Sequence, residues 1–275
     1  MSDSYAVIGN PVAHSKSPEI HAAFARQTGQ DIDYSRLLAP PEGFRSVVEA
    51  FRAAGGKGVN VTLPFKIEAF DLASDVSQRA RDAEAANFLH FHGANIHADN
   101  TDGIGLTRDI VHNLGFDLAG KRILLMGAGG AAQGVLTPIL EHEPRMLTIA
   151  NRTEEKALRL AETFRHKPAA AATVLCGLRF DELAGHQFDL VINGTSASLQ
   201  GDLPPLPATA FAEGALAYDM MYGTAPTPFL AFAAALGAKT SDGLGMLVEQ
   251  AAESFLLWHG VRPDTAPVIA LLRNP

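Results

Sequence analysis

The sequence predicts an α/β protein made of two domains with a cleft between them. Short apolar, β-rich segments alternate with helical segments along nearly the whole chain, a pattern typical of sheets whose strands are parallel and joined by right-handed crossovers. After a helical connection the alternation begins again at Lys121. The chain has 275 residues, which is enough for two ordinary domains.

The first series of elements contains a strand, a helix that starts at Ser17 and Pro18 and ends at Gly29, and a further helix from Phe65. Serine as N-cap, proline at the first helical position and glycine after the last turn predict the bounds of the first helix. The predicted strands of this series are YAVIGN, IDYSRLLA, GVNVTLP, NFLHFH and NIHADNTD. The segment PEGFRSVVEAFRAAGG is predicted to be helical, and TDGIGLTRDIVHNLGF to form a connecting helix.

The second series reads strand, glycine turn, helix, strand and helix from KRILLMGAGG to TEEKALRLAETFRH, with later strands in FDLVINGTS and ALAYDMMY. FLAFAAALGA is predicted to be a core helix of this domain. The apolar tail LGMLVEQAAESFLLWHG is predicted to be a helix that packs on the first domain. The predicted domains are therefore residues 1–103 with 244–275, and residues 104–243.

Charge and composition exclude several classes of protein. The net charge of −8 argues against a nucleic-acid partner, because phosphate binding needs a basic face. Cys176 is the one cysteine, so no intrachain disulfide can form and a reducing compartment is expected. No segment has the pattern of a signal peptide or the length of a membrane span. We therefore expect a cytoplasmic protein without a membrane partner.

A dinucleotide site is predicted at GAGGAA, which fits the pattern G-x-G-x-x-G/A with Ala132 in the third place. The motif follows a predicted strand and precedes a predicted helix. In that context, glycines allow a tight turn and let the backbone approach a pyrophosphate at the helix N-terminus. A glycine turn alone would be weak evidence, but the strand, turn, helix and next strand together favour a nucleotide.

The end of the next strand predicts NADP rather than NAD. Folds that select NAD place an acid there to accept from the ribose 2′-hydroxyl, whereas this chain has Asn151, Arg152 and Thr153, followed by Lys156. A guanidinium, a hydroxyl and an ammonium suit a 2′-phosphate. Thr153 is also expected to be a helix N-cap, but capping does not explain the arginine.

Two hydroxyls and a lysine stand out in the first domain. Ser15 lies upstream of the predicted cap Ser17, so that capping explains only the second serine, and two hydroxyls beside a helix N-terminus suit a carboxylate. Thr62 sits where a strand ends, which is the edge at which open α/β sheets bind ligands. Lys66 falls in a first helical turn, where a cation opposes the helix dipole. Asp102 could pair with it across a cleft.

The motifs of the whole chain resemble the shikimate dehydrogenase family in order and spacing. They run from Gly9 to Gly260 and are GNPVAHSKSPEIH, NVTLPFK, DNTDG, GAGGAA, NRT, DMMY and DGLGMLVEQAAESFLLWHG. The resemblance implies an N-terminal α/β substrate domain, a Rossmann-type NADP-binding domain and the NADPH-dependent, reversible reduction of 3-dehydroshikimate to shikimate. That reaction lies on the route to chorismate and the aromatic amino acids.

The resemblance also implies roles for individual residues. Ser15 and Ser17 would hold the substrate carboxylate, and Lys66 would be the acid/base with Asp102 as its partner. Further contacts to the carboxylate or the ring hydroxyls would come from Thr62, Asn87, Asp102, Tyr222 and Gln250. The cofactor phosphates would lie on Gly127, Ala128, Gly129, Gly130 and Ala131. The nicotinamide would lie near Thr195, Met220 and Gly243.

Three positions depart from the family pattern, and none of them belongs to the acid/base pair. Phe88 stands where a small polar residue is expected beside Asn87, Gln133 replaces an arginine or serine-arginine after the glycine turn, and Gln78 replaces an acid. The Phe88 substitution is expected to affect the ring pocket. The neighbouring histidines His90, His92 and His97 lack acids or cysteines at zinc spacing, so no metal site is predicted.

Two other functions remain open from the sequence. One is a quinate/shikimate dehydrogenase with relaxed cofactor use. The other is a non-catalytic sensor that keeps the fold and binds shikimate or a nucleotide, although such a protein would not need both Lys66 and Asp102. The predicted partner is the small-molecule substrate, and a homodimer is a candidate assembly.

Overall fold

A computed structural model describes residues 2–195, 197 and 201–273. The chain divides into two compact units. The first unit comprises Met1–Gly105 and Leu247–Pro275, and the second comprises Leu106–Met246. None of the helices in the described ranges is both long enough and apolar enough to cross a membrane.

The first unit contains a sheet of six strands. In chain order they are β1 (Asp3–Gly9), β2 (Ile32–Leu38), β3 (Gly58–Val61), β4 (Asp75–Val76), β5 (Phe88–His92) and β6 (Asn95–Asp99). They lie side by side in the order β2-β1-β3-β5-β6-β4. Strand β1 is parallel to both of its neighbours, as the alternation of strands and helices predicts.

The hairpin of β5 and β6 makes this first sheet mixed. β5 is antiparallel to both β3 and β6, so the prediction of a parallel sheet is wrong for this unit. Only Gly93 and Ala94 connect the two strands. A link of that length makes a hairpin, because a parallel pair needs a crossover of a dozen or more residues. Gly93 has a φ angle of 56°, which glycine adopts without steric cost.

Ten α-helices are described in the two units. They are α1 (Ser17–Thr28), α2 (Phe44–Ala53), α3 (Lys66–Leu72), α4 (Gln78–Ala83), α5 (Asp102–Arg108), α6 (Gly130–Leu140), α7 (Glu154–Arg165), α8 (Pro228–Ala235), α9 (Leu244–His259) and α10 (Ala266–Arg273). The predicted end of α1 is confirmed, since Gly29 has a φ angle of 69° and its N–H donates to the carbonyl of Ala25. The predicted connecting helix is α5, which continues as a π-helical turn over Asp109–Asn113.

The second unit contains a sheet in which every pair of neighbouring strands is parallel. Its strands are β7 (Arg122–Met126), β8 (Met146–Ala150), β9 (Val174–Leu178), β10 (Phe188–Asn193), β11 (Phe211–Asp219) and β12 (Lys239–Asp242). They lie in the order β12-β11-β10-β7-β8-β9. That order is the one of dinucleotide-binding Rossmann folds, with the switch point between the first and fourth strands, here β7 and β10.

Both faces of the second sheet are covered. Ile123 and Leu125 of β7 belong to one buried cluster, together with Val135 of α6. The alternate residue Leu124 belongs to a separate cluster on the other face with Phe229 of α8. A strand that is buried on both faces needs a continuous apolar run rather than alternation, which explains the sequence RILLM. The predicted core helix FLAFAAALGA is confirmed as α8.

The C-terminal helices pack on the first unit, as predicted. Val248 and Phe255 of α9 share a buried cluster with Phe24 of α1 and Val268 of α10. The rings of Phe24 and Phe255 meet edge to face at a centroid distance of 5.8 Å. Burial of each such side chain stabilises the fold by about 1.5–3 kcal/mol, so the tail is part of the core of this unit.

His21 of α1 lies in the same region and is fully buried. Its ring stacks on Tyr34 with the centroids 4.2 Å apart, and neither ring nitrogen makes a hydrogen bond of normal geometry within the described residues. Burial lowers the pKa of His21 to about 3; the neighbouring His259 acts in the same direction, and the Asn60 side chain opposes them. The imidazole is therefore neutral in the folded protein at neutral pH.

We expect the buried imidazole to make the fold sensitive to acid. An unfolded histidine has a pKa of about 6.5, so that between this value and the folded pKa the unfolded chain binds the additional proton. The contribution of His21 to the free energy of unfolding is therefore fully present above pH 6.5, and it is lost as the pH falls toward 3. A His21 shift of this size removes about 2 kcal/mol of unfolding free energy between pH 7 and pH 5.

Urea unfolding of the wild type and of His21→Phe at both pH values measures this contribution. The variant should lose about 2 kcal/mol less than the wild type on acidification. His166→Phe is the matched control, because the His166 side chain is 76% exposed. Equal acid sensitivity of the wild type and His21→Phe would contradict the assignment.

Candidate active site

Several strand termini of the first sheet meet at one edge. β1 and β3 are parallel, and β6 runs in the same direction because two antiparallel pairings separate it from β3. The carboxyl ends of these three strands and the amino end of β5 therefore share an edge. Ser15, Lys66, Asn87 and Asp102 lie just beyond these ends, where open α/β sheets bind ligands.

The two serines form a hydrogen-bonded pair at the start of α1. The hydroxyl of Ser15 donates to that of Ser17 over 3.1 Å and accepts from the Ser17 backbone N–H over 3.3 Å. The predicted N-cap role of Ser17 is wrong, because the N-cap position is Lys16 and Ser17 is the first helical residue. The capping-type hydrogen bond is made instead by Ser15, which lies one residue before the N-cap.

A positive charge supports this serine pair. The guanidinium of Arg36 in β2 donates to the carbonyl oxygen of Ser15 at 2.6 Å and 3.0 Å and also pairs with Glu19. Lys16, which lies between the two serines in the sequence, adds a second cation. Because Glu19 offsets one of these two positive charges, one remains near the serines to hold an anionic group against the net charge of −8.

Lys66 and Asp102 form an ion pair within the first unit. Lys66 Nζ lies 2.5 Å from Asp102 Oδ2, and the two side chains are 29% and 16% exposed. Lys66 is the first residue of α3, and Asp102 is the first residue of α5. The predicted pairing of the two side chains is confirmed, and both partners lie in the same unit.

The side-chain amide of Asn87 fixes the other oxygen of this carboxylate. Asn87 Nδ2 donates to Asp102 Oδ1 over 2.9 Å. Its own carbonyl oxygen accepts from the backbone N–H of Thr101 over 2.8 Å. A backbone N–H can only donate, so this contact determines which way the amide is oriented. Both oxygens of Asp102 are thus held, one by an ammonium and one by an amide.

A chain of buried polar side chains extends from Asn87. Its Nδ2 also contacts Gln250 Oε1 over 3.2 Å, and the Thr101 hydroxyl lies 3.3 Å from that of Ser254. Asn60 then donates to Ser254 over 2.9 Å. Tyr34 in turn donates to Asn60 over 2.7 Å. Buried polar groups that are all hydrogen-bonded rigidify their surroundings, so this chain holds the site in one arrangement.

The remaining substrate residues that the resemblance implies lie in different units. Thr62 is half-buried and follows β3, where its backbone N–H donates to Ile8. Gln250 belongs to the part of α9 in the first unit, and its Nε2 donates to the carbonyl of Leu247 over 2.9 Å. Tyr222 belongs to the second unit and is 37% exposed. Its partial burial raises the pKa of the Tyr222 hydroxyl above the usual value.

The glycine turn of the second unit has the geometry that a phosphate requires. Gly127 has a φ angle of 108°, and a Cβ there would lie 3.0 Å from the Gly194 carbonyl oxygen. Gly129 is the N-cap of α6 and Gly130 its first residue. Nothing lies within 4 Å of a Cβ at either of these two positions. Open space beside free N–H groups at a helix N-terminus is where a phosphate binds.

The residues at the end of β8 fit a 2′-phosphate. Asn151 Nδ2 donates to the carbonyl oxygen of Thr153 over 2.9 Å, which closes the turn into α7. Arg152 and Lys156 are exposed on this turn. Thr153 occupies the N-cap position as predicted, although its hydroxyl makes no capping hydrogen bond. Two cations and no carboxylate at Asn151 match the chemistry of NADP.

The three residues predicted near the nicotinamide also come together. The Thr195 hydroxyl donates to the buried Asn193 over 2.7 Å, and the Met220 N–H donates to the Asn193 carbonyl over 3.0 Å. Gly243 packs so closely on Met220 that a Cβ there would clash with the Met220 backbone. Thr195, Met220 and Gly243 therefore lie at the carboxyl ends of the three adjacent strands β10, β11 and β12.

The histidines and Phe88 lie elsewhere in the first unit. His90 and His92 share a strand face, with ring centroids 3.8 Å apart. Burial lowers the pKa of His90 to about 4, and the neighbouring His92, His97 and His259 act in the same direction. No metal-binding group of three or more side chains occurs among the residues with described positions. The ring of Phe88 is buried against Trp258 at 5.0 Å, which explains an apolar residue at that position.

Sequence reasoning missed Arg36, Asn60, Thr101 and Ser254. Asn60 offered a local signal, because an amide inside the apolar strand GVNV needs a buried partner. The others offered none, since their partners are distant in sequence. Asn60 and Ser254, for example, are 194 residues apart.

These features are typical of a nucleotide-dependent dehydrogenase: one unit is a Rossmann fold with cations suited to NADP, and the other is an α/β unit with a lysine–carboxylate pair. Comparison with known families agrees. Residues 7–89 match the shikimate dehydrogenase substrate binding domain. Residues 109–200 match shikimate / quinate 5-dehydrogenase, and residues 243–273 match the shikimate 5'-dehydrogenase C-terminal domain.

Individual relatives cover the full chain. The shikimate dehydrogenase (NADP(+)) of Nitrosospira multiformis is 60% identical over 100% of this chain and 98% of that protein. A crystal structure of an Ael1 enzyme from Pseudomonas putida is 49% identical with a TM-score of 0.93, covering 100% of this chain and 99% of that one. Shikimate 5-dehydrogenase from Thermus thermophilus, in complex with NADP(H) and shikimate, is 33% identical with a TM-score of 0.86, covering 98% of both chains.

The chain belongs to the shikimate dehydrogenase family. The predictions of its family, its two-part α/β fold, its dehydrogenase activity and NADP as its cofactor are confirmed.

Proposed function

We propose that this enzyme reduces 3-dehydroshikimate to shikimate with NADPH, reversibly, using Lys66 and Asp102 as its acid/base pair. The observation that carries the proposal is the 2.5 Å contact between Lys66 Nζ and Asp102 Oδ2 at the ligand-binding edge of the first sheet. The reaction lies on the route to chorismate and the aromatic amino acids. A sensor protein would have no use for such a pair.

The first unit, which we propose as the substrate-binding domain, holds the substrate at this edge. The carboxylate of the substrate binds to the hydroxyls of Ser15 and Ser17, with Arg36 and Lys16 supplying positive charge nearby. The ring hydroxyls are contacted by Thr62, Asn87, Asp102 and Gln250, and Tyr222 is a further substrate contact that we carry over from the family resemblance. Hydroxyl and amide donors of this kind favour a polyhydroxylated acid over an apolar substrate.

Lys66 moves the proton of the reaction. As an ammonium, it donates a hydrogen bond to the substrate oxygen and protonates it as negative charge develops there; in the reverse direction it accepts the proton of the alcohol. Asp102 keeps the lysine oriented, and Asn87 keeps the carboxylate in place. Positioned proton transfer of this kind contributes about 10²- to 10⁴-fold in rate.

The second unit, which we propose as the NADP-binding domain, holds the cofactor. NADPH, when bound, supplies the hydride that reduces the carbonyl carbon. The phosphates lie on the glycine turn from Gly127 to Ala131, and Asn151, Arg152, Thr153 and Lys156 surround the 2′-phosphate. Thr195, Met220 and Gly243 border the nicotinamide.

We also infer the setting in which the enzyme works. A chain with a single cysteine suits a reducing compartment, and we place the enzyme in the cytoplasm. A net charge of −8 does not favour nucleic acid as a partner. A homodimer is the assembly to test by sedimentation.

Replacement of the lysine tests the proposed chemistry. Lys66→Ala should lower kcat for NADP⁺ reduction by shikimate about 10²- to 10⁴-fold, because the proton acceptor is lost. KM for shikimate should change much less if the lysine acts mainly in the transition state. Initial rates on wild type and variant measure both constants, and Lys57→Ala is the control because Lys57 is an exposed lysine of the same unit that pairs with Asp3.

Two outcomes would overturn the proposal. A Lys66→Ala variant with wild-type kcat would show that another group transfers the proton. A wild type that binds shikimate, yet turns over neither shikimate nor quinate with either cofactor, would be a sensor. Comparable kcat/KM values for quinate and shikimate would instead identify the broader quinate/shikimate activity.

The choice of cofactor can be tested separately at Arg152. Arg152→Ala should raise KM for NADP⁺ about 10- to 100-fold, because a hydrogen-bonded charge pair with the 2′-phosphate is lost, and should leave KM for NAD⁺ nearly unchanged. Arg159→Ala, a substitution of another exposed arginine further along α7, should affect neither constant. Equal changes with both cofactors would contradict a role for Arg152 in selecting NADP.

A further inference from the structure

Arg79 in α4 makes three hydrogen bonds to carboxylates that the proposed chemistry does not use. Its Nε and Nη2 donate to the two oxygens of Asp99 over 3.1 Å and 2.6 Å. Its Nη1 donates to Glu253 over 3.0 Å. A bidentate arginine–carboxylate contact fixes both partners in plane and is among the stronger hydrogen-bonded pairs.

Asp99 is the hub of this arrangement. It is the last residue of β6 and is only 3% exposed. Besides Arg79, its carboxylate accepts from the Ser77 hydroxyl over 2.5 Å and from the Asn100 backbone N–H over 2.6 Å. Burial alone would raise the pKa of Asp99, but the Arg79 guanidinium, together with the hydrogen bonds from Ser77 and Asn100, outweighs it and holds the pKa below its usual value. Asp99 is therefore an ionised carboxylate with several fixed donors.

The turn after Asp99 carries the proposed catalytic carboxylate. The Asn100 side chain accepts from the Asp102 backbone N–H over 3.1 Å and donates to the Ala85 carbonyl over 3.1 Å. Thr101 is held by Asn87. Side-chain hydrogen bonds therefore hold the turn along its length. The first of them are the contacts of Arg79 with Asp99.

Arg79 also connects this turn to α9. Its partner Glu253 lies one helical turn from Gln250 and next to Ser254, and these two residues contact the Asn87 and Thr101 side chains. One guanidinium therefore ties the turn that carries Asp102 to the helix that packs against it. Without the Arg79 contacts, the turn that carries Asp102 and the segment of α9 that contacts Asn87 and Thr101 are both less constrained.

We propose that Arg79, acting through Asp99, is a positioning residue that holds Asp102 in register with Lys66. The inference rests on the proposed function, since it concerns the same acid/base pair. Small displacements of reacting groups are costly in enzymes, because a misplacement of about 1 Å can reduce the rate about 10²-fold. Arg79 thus contributes to turnover without touching the reacting atoms.

Kinetics of Arg79→Met, Arg79→Lys and Arg262→Met test the proposal. Arg262 is the matched control, because it pairs with Glu253 over 2.7 Å and with Glu249 over 3.0 Å but makes no contact with Asp99. Arg79→Met should lower kcat about 10-fold or more, with KM for NADP⁺ changed less than about 2-fold. Arg79→Lys should restore part of kcat, whereas Arg262→Met should lower Tm but keep kcat within about 2-fold of wild type.

Equal kcat in Arg79→Met and wild type would overturn the proposal. A loss of kcat in Arg262→Met as large as that in Arg79→Met would also overturn it, because it would indicate a general effect of the ion-pair network. If Arg79→Met does not fold, Arg79→Lys and Ser77→Ala decide in its place, since each weakens the hold on Asp99. An inactive wild type would contradict the proposed function instead. In that case a crystal structure of Arg79→Lys still gives the answer: the proposal requires Asp102 to be displaced from Lys66, and an unmoved carboxylate contradicts it.

Discussion

The ion pair between Lys66 and Asp102 depends on the arrangement of strand termini in the first sheet. Both side chains are partly buried, and removing two charges from water is costly unless their remaining hydrogen-bonding capacity is satisfied. The free oxygen of Asp102 is satisfied by Asn87, whose amide is oriented by the backbone of Thr101. The pair is therefore stable only while the ends of β3, β5 and β6 stay together.

The hairpin of β5 and β6 is what brings these ends together. Had β5 been parallel to β3, Asn87 would lie at the opposite edge of the sheet, far from Lys66. Reversing one strand places its first residue beside the last residues of its two neighbours. The mixed sheet is thus a requirement of the site rather than an irregularity of the fold. The second unit shows the contrasting solution, in which a wholly parallel sheet collects Thr195, Met220 and Gly243 at the ends of successive strands.

Local motifs predicted the second unit well. The glycine turn, the flanking strand and helix and the cations at Arg152 and Lys156 lie within about 30 residues, which is the span of one βαβ unit, so a local stretch of sequence predicts them together. The first unit was harder, because strand pairing and side-chain contacts there join distant segments. The N-cap of α1 lies at Lys16, one position before the predicted Ser17, and nothing in the local sequence links Arg79 or Ser254 to Asp102.

The central claim is that Lys66 and Asp102 act as one catalytic unit, and a double-mutant cycle on kcat tests it most directly. Lys66→Ala, Asp102→Asn and the double variant are compared with wild type in shikimate-dependent NADP⁺ reduction. Residues that act together are strongly non-additive. The account predicts that the double variant is slower than the slower single variant by no more than about 3-fold. Losses that multiply would show that the two residues act independently and would contradict it.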